Sequence, residues 1–456
     1  MKQHPLRTVL YITITAILVT GCGATQAVPT ATAVLPLAAT ATAPPPADRF
    51  GQASTPAPTA TVAPTPGIPE PERPLLMAHY MPWYQTPEVT GYWGWHWTMD
   101  HFNPYTKDEK GRPSIASYAF PLTGPYDSSD DVLLEYQVLL MHLSGIDGVI
   151  VDWYGTEDFR DYAVLNASTN KLFTHVRKAG LRFAICYEDQ SIVHMVDNKH
   201  LPLTDAYAHG QDVMRYLQDK WFQQDVYLKV SAQPVLLTFG PQYFKSASDW
   251  DALFSVLAPR PALLTLGGHT ESAGLSSYPW PPMWSAQEGV LSQEALKGYL
   301  TSFYRKAERW DYLVAGAFPG FQDIYQEADV STEARYLDPQ DGETFRLTLQ
   351  MALDQQPDVI QLITWNDYGE STSIEPTEEY GYRYLEMVQQ VRRETDPAGF
   401  PFTAGDLLLP LQLFKLRQKH ADDTELNAQL DKVFDAILAG DLDRARTILA
   451  EVPLEP

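Results

Sequence analysis

The sequence predicts an α/β protein: a (β/α)8 TIM barrel with inserted loops, preceded by a disordered linker and followed by a small helical tail. Three observations carry this reading. Short, nearly unbroken apolar runs recur from Arg73 to about residue 400. Longer amphipathic stretches separate them, so neighbouring strands are joined by helices and run parallel, buried on both faces. Eight such units fit into roughly 320 residues, within the size range of a closed barrel. An open doubly wound sheet is the alternative. The chain holds no Gly-x-Gly-x-x-Gly and no phosphate loop, which weakens nucleotide-binding readings of either fold.

The elements follow in order. Lys2 and Arg7 precede a mostly apolar run from Val9 to Val19, which ends at Thr20-Gly21-Cys22. A basic head, a short apolar core and small residues describe an export signal over 1–21, and the run is short for a membrane span. "VTGC" also resembles the lipobox of bacterial lipoproteins, in which the Cys thiol is lipidated. Cys22 is therefore the expected lipidation site, with an ordinary cleaved signal and an incidental Cys as the alternative. Gly23 gives no inner-membrane retention signal. Residues 22–71 are largely Ala, Thr and Pro, without apolar period or core-forming content, and read as a disordered or polyproline-like tether. At ~3.1 Å per residue such a tether reaches on the order of 100 Å. The expected location is extracytoplasmic, on the cell envelope of a bacterium, anchored to the membrane through Cys22.

The barrel is expected over 72–400. Its strand candidates are 75–82, 148–155, 182–189, 234–240, 262–268, a weak one at 281–284, 312–319 and 358–367. Helical stretches between them include 129–145, which opens on a Ser-Asp cap and ends on Gly145, and 341–357. Residues 401–456 read as a helical appendage with a structural role.

Composition narrows the partners. The chain has 33 basic and 57 acidic residues, a formal charge of −24. Such a surface repels nucleic acid and anionic lipid but leaves neutral substrates unaffected. Two cysteines, Cys22 and Cys186, allow no zinc cluster, and Cys186 reads as an inert buried thiol on a strand. His96 and His101, in "GYWGWHWTMDHFNP", match no familiar metal spacing and read as part of an aromatic rim. No cofactor and no metal are expected, and the chain is expected to be a monomer.

The strand ends carry the chemistry. Reading each strand to its C-terminal end gives Tyr80, Trp83 and Tyr84, then Asp152, Trp153 and Tyr154, then Tyr187, Glu188 and Asp189, then Trp365, Asn366 and Asp367. In a barrel these ends converge on the face where active sites sit. Aromatic faces stack on the C–H side of a pyranose, and two carboxyls supply an acid with a base or nucleophile. Asp367 and Glu370, three residues apart, are the expected catalytic pair, because acids so close raise one another's proton affinity. Asp152 as a helix cap and Glu188 as the partner of an Arg are the plainer alternatives for those two.

At these residues the chain resembles the glycoside hydrolases of families 71 and 99. "WNDYGES" (365–371) looks like the signature of family 71, the endo-α-1,3-glucanases. "YMPWY" (80–84), "GWHW" (94–97), "GPYDSSD" (124–130) and "GIDGVIVDWYG" (145–155) look like family 99, the endo-α-mannosidases and endo-α-mannanases, in that family's order. The resemblance spans roughly residues 75–385. It implies a glycoside hydrolase acting on a polysaccharide, with Asp367 as base, Glu370 as general acid, Trp153 as a subsite aromatic and Glu188 as a polar substrate contact. Tyr80, Trp83, Tyr84, Trp95, His96, Asp152, Tyr187, Trp365 and Asn366 complete the expected binding set. Family 99 usually has Glu where Asp367 stands, which puts its retaining, epoxide-like route in doubt and favours inversion through water. The expected function is thus an exported, membrane-tethered hydrolase cleaving internal α-linkages of an α-glucan or α-mannan. A retaining family 99-type endo-α-mannanase is one alternative. A catalytically inactive carbohydrate-binding lipoprotein and the solute-binding lipoprotein of an importer are others, although a binder has no use for both Asp367 and Glu370.

Overall fold

The computed structural model describes residues 73–267 and 274–452. The signal, Cys22 and the whole of the tether lie outside the described residues. Eight parallel strands form the barrel: β1 (Leu75–Tyr80), β2 (Gly148–Trp153), β3 (Arg182–Tyr187), β4 (Gln233–Thr238), β5 (Ala262–Leu266), β6 (Ser276–Tyr278), β7 (Val314–Ala317) and β8 (Val359–Leu362). Their hydrogen-bonded order is β6-β5-β4-β3-β2-β1-β8-β7, with a short antiparallel strand, Lys229–Val230, paired to β4. The remaining seam, β6 to β7, packs tightly: a Cβ on Gly316 would lie 2.8 Å from Pro279 Cγ. Only glycine lets these two strands meet there.

The sixth strand departs from the sequence expectation. It is Ser276–Tyr278, and residues 283–285 form a 3₁₀ turn instead. "PPMW" attracted the assignment because it is apolar, yet its prolines cannot donate to a ladder.

Helices wrap the barrel, the longer ones being α1 (Asp131–Ser144), α2 (Tyr162–Lys178), α3 (Ala206–Leu217), α4 (Gln293–Ala307), α5 (Glu343–Leu353) and α6 (Arg383–Thr395). The Asp130 side chain caps α1 by accepting from Val132 N at 2.9 Å, and Gly145 closes it with φ 82°. The tail forms α7 (Leu409–Lys419), α8 (Thr424–Leu438) and α9 (Leu442–Glu451). It docks on α1 through Arg417, which donates to Glu135 at 2.6 and 3.0 Å and to Asp431 at 2.7 Å. Helix α1 is buried almost all round because the barrel covers one side and the tail the other. No helix among the described residues is long and apolar enough to cross a membrane.

Candidate active site

The turn after β8 builds the site. Thr364 N donates to Thr372 O at 2.9 Å, and the two threonine hydroxyls lie 3.0 Å apart, so the segment folds back on itself. Inside it, Asp367 N donates to Thr364 Oγ1 at 2.8 Å and Glu370 N to Asp367 Oδ1 at 3.0 Å. One Asp367 oxygen is thus held toward its own turn, while Glu370 stands half-buried at the rim. A second loop clamps the turn from the β7 side: Gln322 N donates to Glu370 O at 2.9 Å and Ile324 N to Gly369 O at 3.0 Å.

That clamp brings residues that the sequence did not single out. Arg335 donates to Asp323 Oδ2 at 2.6 Å, and the Tyr325 hydroxyl lies 3.5 Å from Glu370 Oε1. Asp323 and Tyr325 follow β7 and were open to the same strand-end reasoning. Arg335 comes from a loop with no periodic signal.

Beside Asp323, which is paired with Arg335, four further carboxyls share this end of the barrel. Burial pushes Asp367 up to about 7, against the backbone N–H groups of Glu370 and Gly369. Burial and then the Asp367 charge push Glu370 up to about 8, opposed by the Arg335 guanidinium. Burial raises Asp152 to about 8, with a further contribution from Asp367. Glu188 is raised well above the usual carboxylate range by burial and by Asp152, and its side chain accepts from Gln190. Charges this close in a desolvated site cannot all be negative together.

The pleat separates the other expected site residues. Along a strand, alternate side chains face opposite sides of the sheet. In β1, β2 and β3 the inward residues are His79, Asp152 and Cys186, whose polar atoms converge within 4.8 Å. Their neighbours Tyr80, Trp153 and Tyr187 therefore face the helices. The Tyr80 hydroxyl donates to Gln137 of α1 at 2.7 Å. Trp153 donates to Asn166 of α2 at 3.2 Å and stacks on Tyr216 of α3, the rings 5.8 Å apart. Tyr187 packs beside Trp153, with ring centroids 5.9 Å apart. These three belong to the layer between barrel and helices, so the structure does not bring Tyr80, Trp153 or Tyr187 into the cleft.

Asn366, Trp365 and Tyr84 frame the site from beneath. Asn366 brackets Met81, accepting from its N at 2.8 Å and donating to its O at 2.9 Å, and donates to Tyr126 as well. Trp365 is fully buried, its N donating to His79 O at 2.6 Å. The Tyr84 hydroxyl donates to Asn366 O at 2.9 Å and accepts from Tyr368 N at 3.1 Å. The rim is formed by the short helix Trp95–Thr98. His96 stacks on Trp83 with ring centroids 4.1 Å apart and planes within 2°, and Trp95 beside it is half-buried. Met99 closes the contact, its Cε 3.0 Å from where a Cβ on Gly369 would stand.

A cavity of about 390 Å³ opens at the opposite end of the barrel, among Arg73, Asp147, Arg392 and Phe400, and none of the four carboxyls lines it.

No family model matches the sequence, and no curated protein matches it. Two structures of the family 99 endo-α-mannosidase from Bacteroides thetaiotaomicron are similar in fold. One, with BIS-TRIS-propane, has TM-score 0.51 and 16% identity over 69% of this chain and 95% of that one. The other has TM-score 0.53 and 16% identity over 70% and 96%. A structure described as a glycoside hydrolase-like protein has TM-score 0.50 and 12% identity over 72% and 96%. At these identities the likeness shows a shared barrel architecture.

Proposed function

We propose that the chain is a glycoside hydrolase that cleaves internal α-linkages of a polysaccharide, an α-mannan or α-glucan, with inversion. The observation that carries this reading is the turn that sets Asp367 and Glu370 at the C-terminal mouth of a parallel barrel, both held toward protonation by burial. Glu370, the more readily protonated and the nearer to the rim, gives its proton to the leaving glycosidic oxygen. Asp367, ionised first, takes a proton from the attacking water. Its Oδ1 accepts from Glu370 N–H, which holds the carboxylate in its turn, and inversion requires a water between that carboxylate and the sugar. The half-buried Trp95 and the stacked His96–Trp83 pair offer apolar faces for pyranose rings. The endo-α-mannosidase name of two fold neighbours agrees with an α-linked substrate. The signal-like residues 1–21 and Cys22 support an enzyme tethered outside the cell.

The test is incubation of the purified protein with α-mannan and α-glucan, following new reducing ends and, by proton NMR before mutarotation, the anomer first released. A β-anomer is the expected result. An α-anomer would overturn inversion and leave hydrolysis standing, and no new reducing ends would leave a binding protein.

The pH dependence follows from the same pair. Activity needs Asp367 ionised and Glu370 protonated, so it falls below about pH 7 and above about pH 8. The facing charged groups are Asp152, Glu188, Asp323 and Arg335, with Tyr325 neutral across this range. We expect a narrow bell in kcat/KM centred between those values, each limb dropping about tenfold per pH unit. A flat profile from about pH 5 to about pH 9 would exclude the assignment, because carboxyls raised this far above their ordinary range must leave the active protonation state on both sides.

A further inference from the structure

We propose that the barrel interior beneath the acid pair holds a borderline-soft divalent metal, with zinc as its natural occupant, bound by His79, Asp152 and Cys186. The inference does not depend on the glycosidase reading. These side chains come from three adjacent strands and face inward, and one donor atom from each lies within 4.8 Å of the others. All three are buried, with His79 and Cys186 fully shielded and Asp152 at 2% exposure. Two atoms able to act as ligands, His79 Nε2 and Asp152 Oδ1, are buried without a hydrogen-bond partner. Buried polar atoms are seldom left unpaired, and two of them in one cluster of side chains call for an occupant.

The surroundings suit a metal. His79 is held edge-on by Trp280, ring centroids 4.9 Å apart, which fixes where Nε2 points. Its Nδ1 lies 2.8 Å from the Gln361 side-chain amide, whose oxygen is unpartnered. With that amide turned end for end, Nδ1–H donates to the Gln361 oxygen and Nε2 presents its lone pair inward, the arrangement metal-bound imidazoles use. The Cys186 sulfur lies 3.4 Å from the Tyr278 hydroxyl, which donates to Thr238 O at 2.8 Å, so the sulfur lone pairs remain available. Thiolate, imidazole and carboxylate together select zinc over magnesium or calcium. A thiolate and a carboxylate also neutralise a divalent charge, removing the cost of a buried unpaired acid. Zinc bonds of about 2.0–2.3 Å bring donors to about 3.5 Å apart, so the cluster closes by about 1 Å on binding. Three protein ligands leave a fourth position for water.

The test uses the full chain with Cys22→Ser as background, so that Cys186 is its single thiol. It is produced in zinc-supplemented medium, or unfolded and refolded with cobalt(II), because the cluster is closed once folded. Elemental analysis is expected to find about one zinc per chain after dialysis, and cobalt to give a thiolate-to-metal charge-transfer band. Cys186→Ser should abolish that band, and His79→Gln should lower retained metal at least ~10-fold. Gln361→Leu, which removes no donor, should weaken binding about 10–100-fold. Folded background protein with no zinc and no cobalt band would overturn the proposal and leave a buried water between the orphaned atoms. Metal content unchanged by Cys186→Ser would overturn it as well. The first of these measurements needs no substitution in the cluster, so poor folding of a variant does not protect the idea.

Discussion

Glu370→Gln should lower kcat/KM on an α-linked glycan by about 10³-fold, while costing about tenfold or less on a glycoside with a dinitrophenyl leaving group. Positioned proton transfer contributes ~10²–10⁴-fold, and a factor of 10³ corresponds to about 4 kcal/mol of transition-state stabilisation. An alkoxide leaving group needs that proton, whereas a nitrophenolate departs without it. Asp367→Asn should cost about 10³-fold on both substrates, because water must be activated whichever group leaves. Both replacements keep shape: an amide oxygen at 367 still accepts from Glu370 N–H, now 3.0 Å from Oδ1. The pH profiles separate the roles a second time. Glu370→Gln should lose the high-pH limb on the activated substrate and keep the low-pH limb set by Asp367. If the two variants share one substrate dependence, the acid and base assignments fall even with the reaction class intact.

The barrel and the turn after β8 were legible because both are local. An apolar run entering "WNDYGES" announces a buried strand ending in acids, and the turn's hydrogen bonds run between residues at most eight positions apart. What the strand-end reading missed was the pleat. It took adjacent residues such as Asp152 and Trp153 as one cluster, although the two must face opposite sides of the sheet. The same parity makes His79 and Cys186 interior neighbours of Asp152, a convergence of three strands that no spacing along the chain displays. The sixth strand was obscured for a different reason. Ser-Ser-Tyr is short and polar, and Thr265 and Ser277 satisfy one another across the ladder at 3.0 Å, so no apolar run marks it. Arg335 reaches Asp323 by a hairpin between Phe321–Gln322 and Tyr336–Leu337, a pairing without a composition signal.

Glu375→Leu should destabilise the protein by about 4 kcal/mol, the largest stability effect expected of any single side chain near the site. Glu375 is buried behind the turn after β8 and accepts three hydrogen bonds, each of 2.7 Å, from Tyr126 Oη, Tyr368 Oη and Gln137 Nε2. Three donors converging on one group explain an acid here: a carboxylate offers only acceptors, while a glutamine would bring two protons of its own. Leucine fills the volume but leaves three buried donors unpaired, at ~1–3 kcal/mol each before relaxation. A loss of that size is a large fraction of the ~5–15 kcal/mol that holds a typical domain together. Urea denaturation would measure it, and circular dichroism would show whether the fold survives at low temperature. Glu375→Gln keeps one acceptor and should lose about half as much. The cause can be isolated, because Tyr368→Phe removes one of the stranded hydroxyls. Alone it should destabilise by about 1 kcal/mol, yet in the Glu375→Leu background it should restore stability, and that reversal of sign is the coupling a double-mutant cycle detects. Simple additivity of the two changes would mean that the cost of Glu375→Leu comes from packing rather than from the polar network under Asp367.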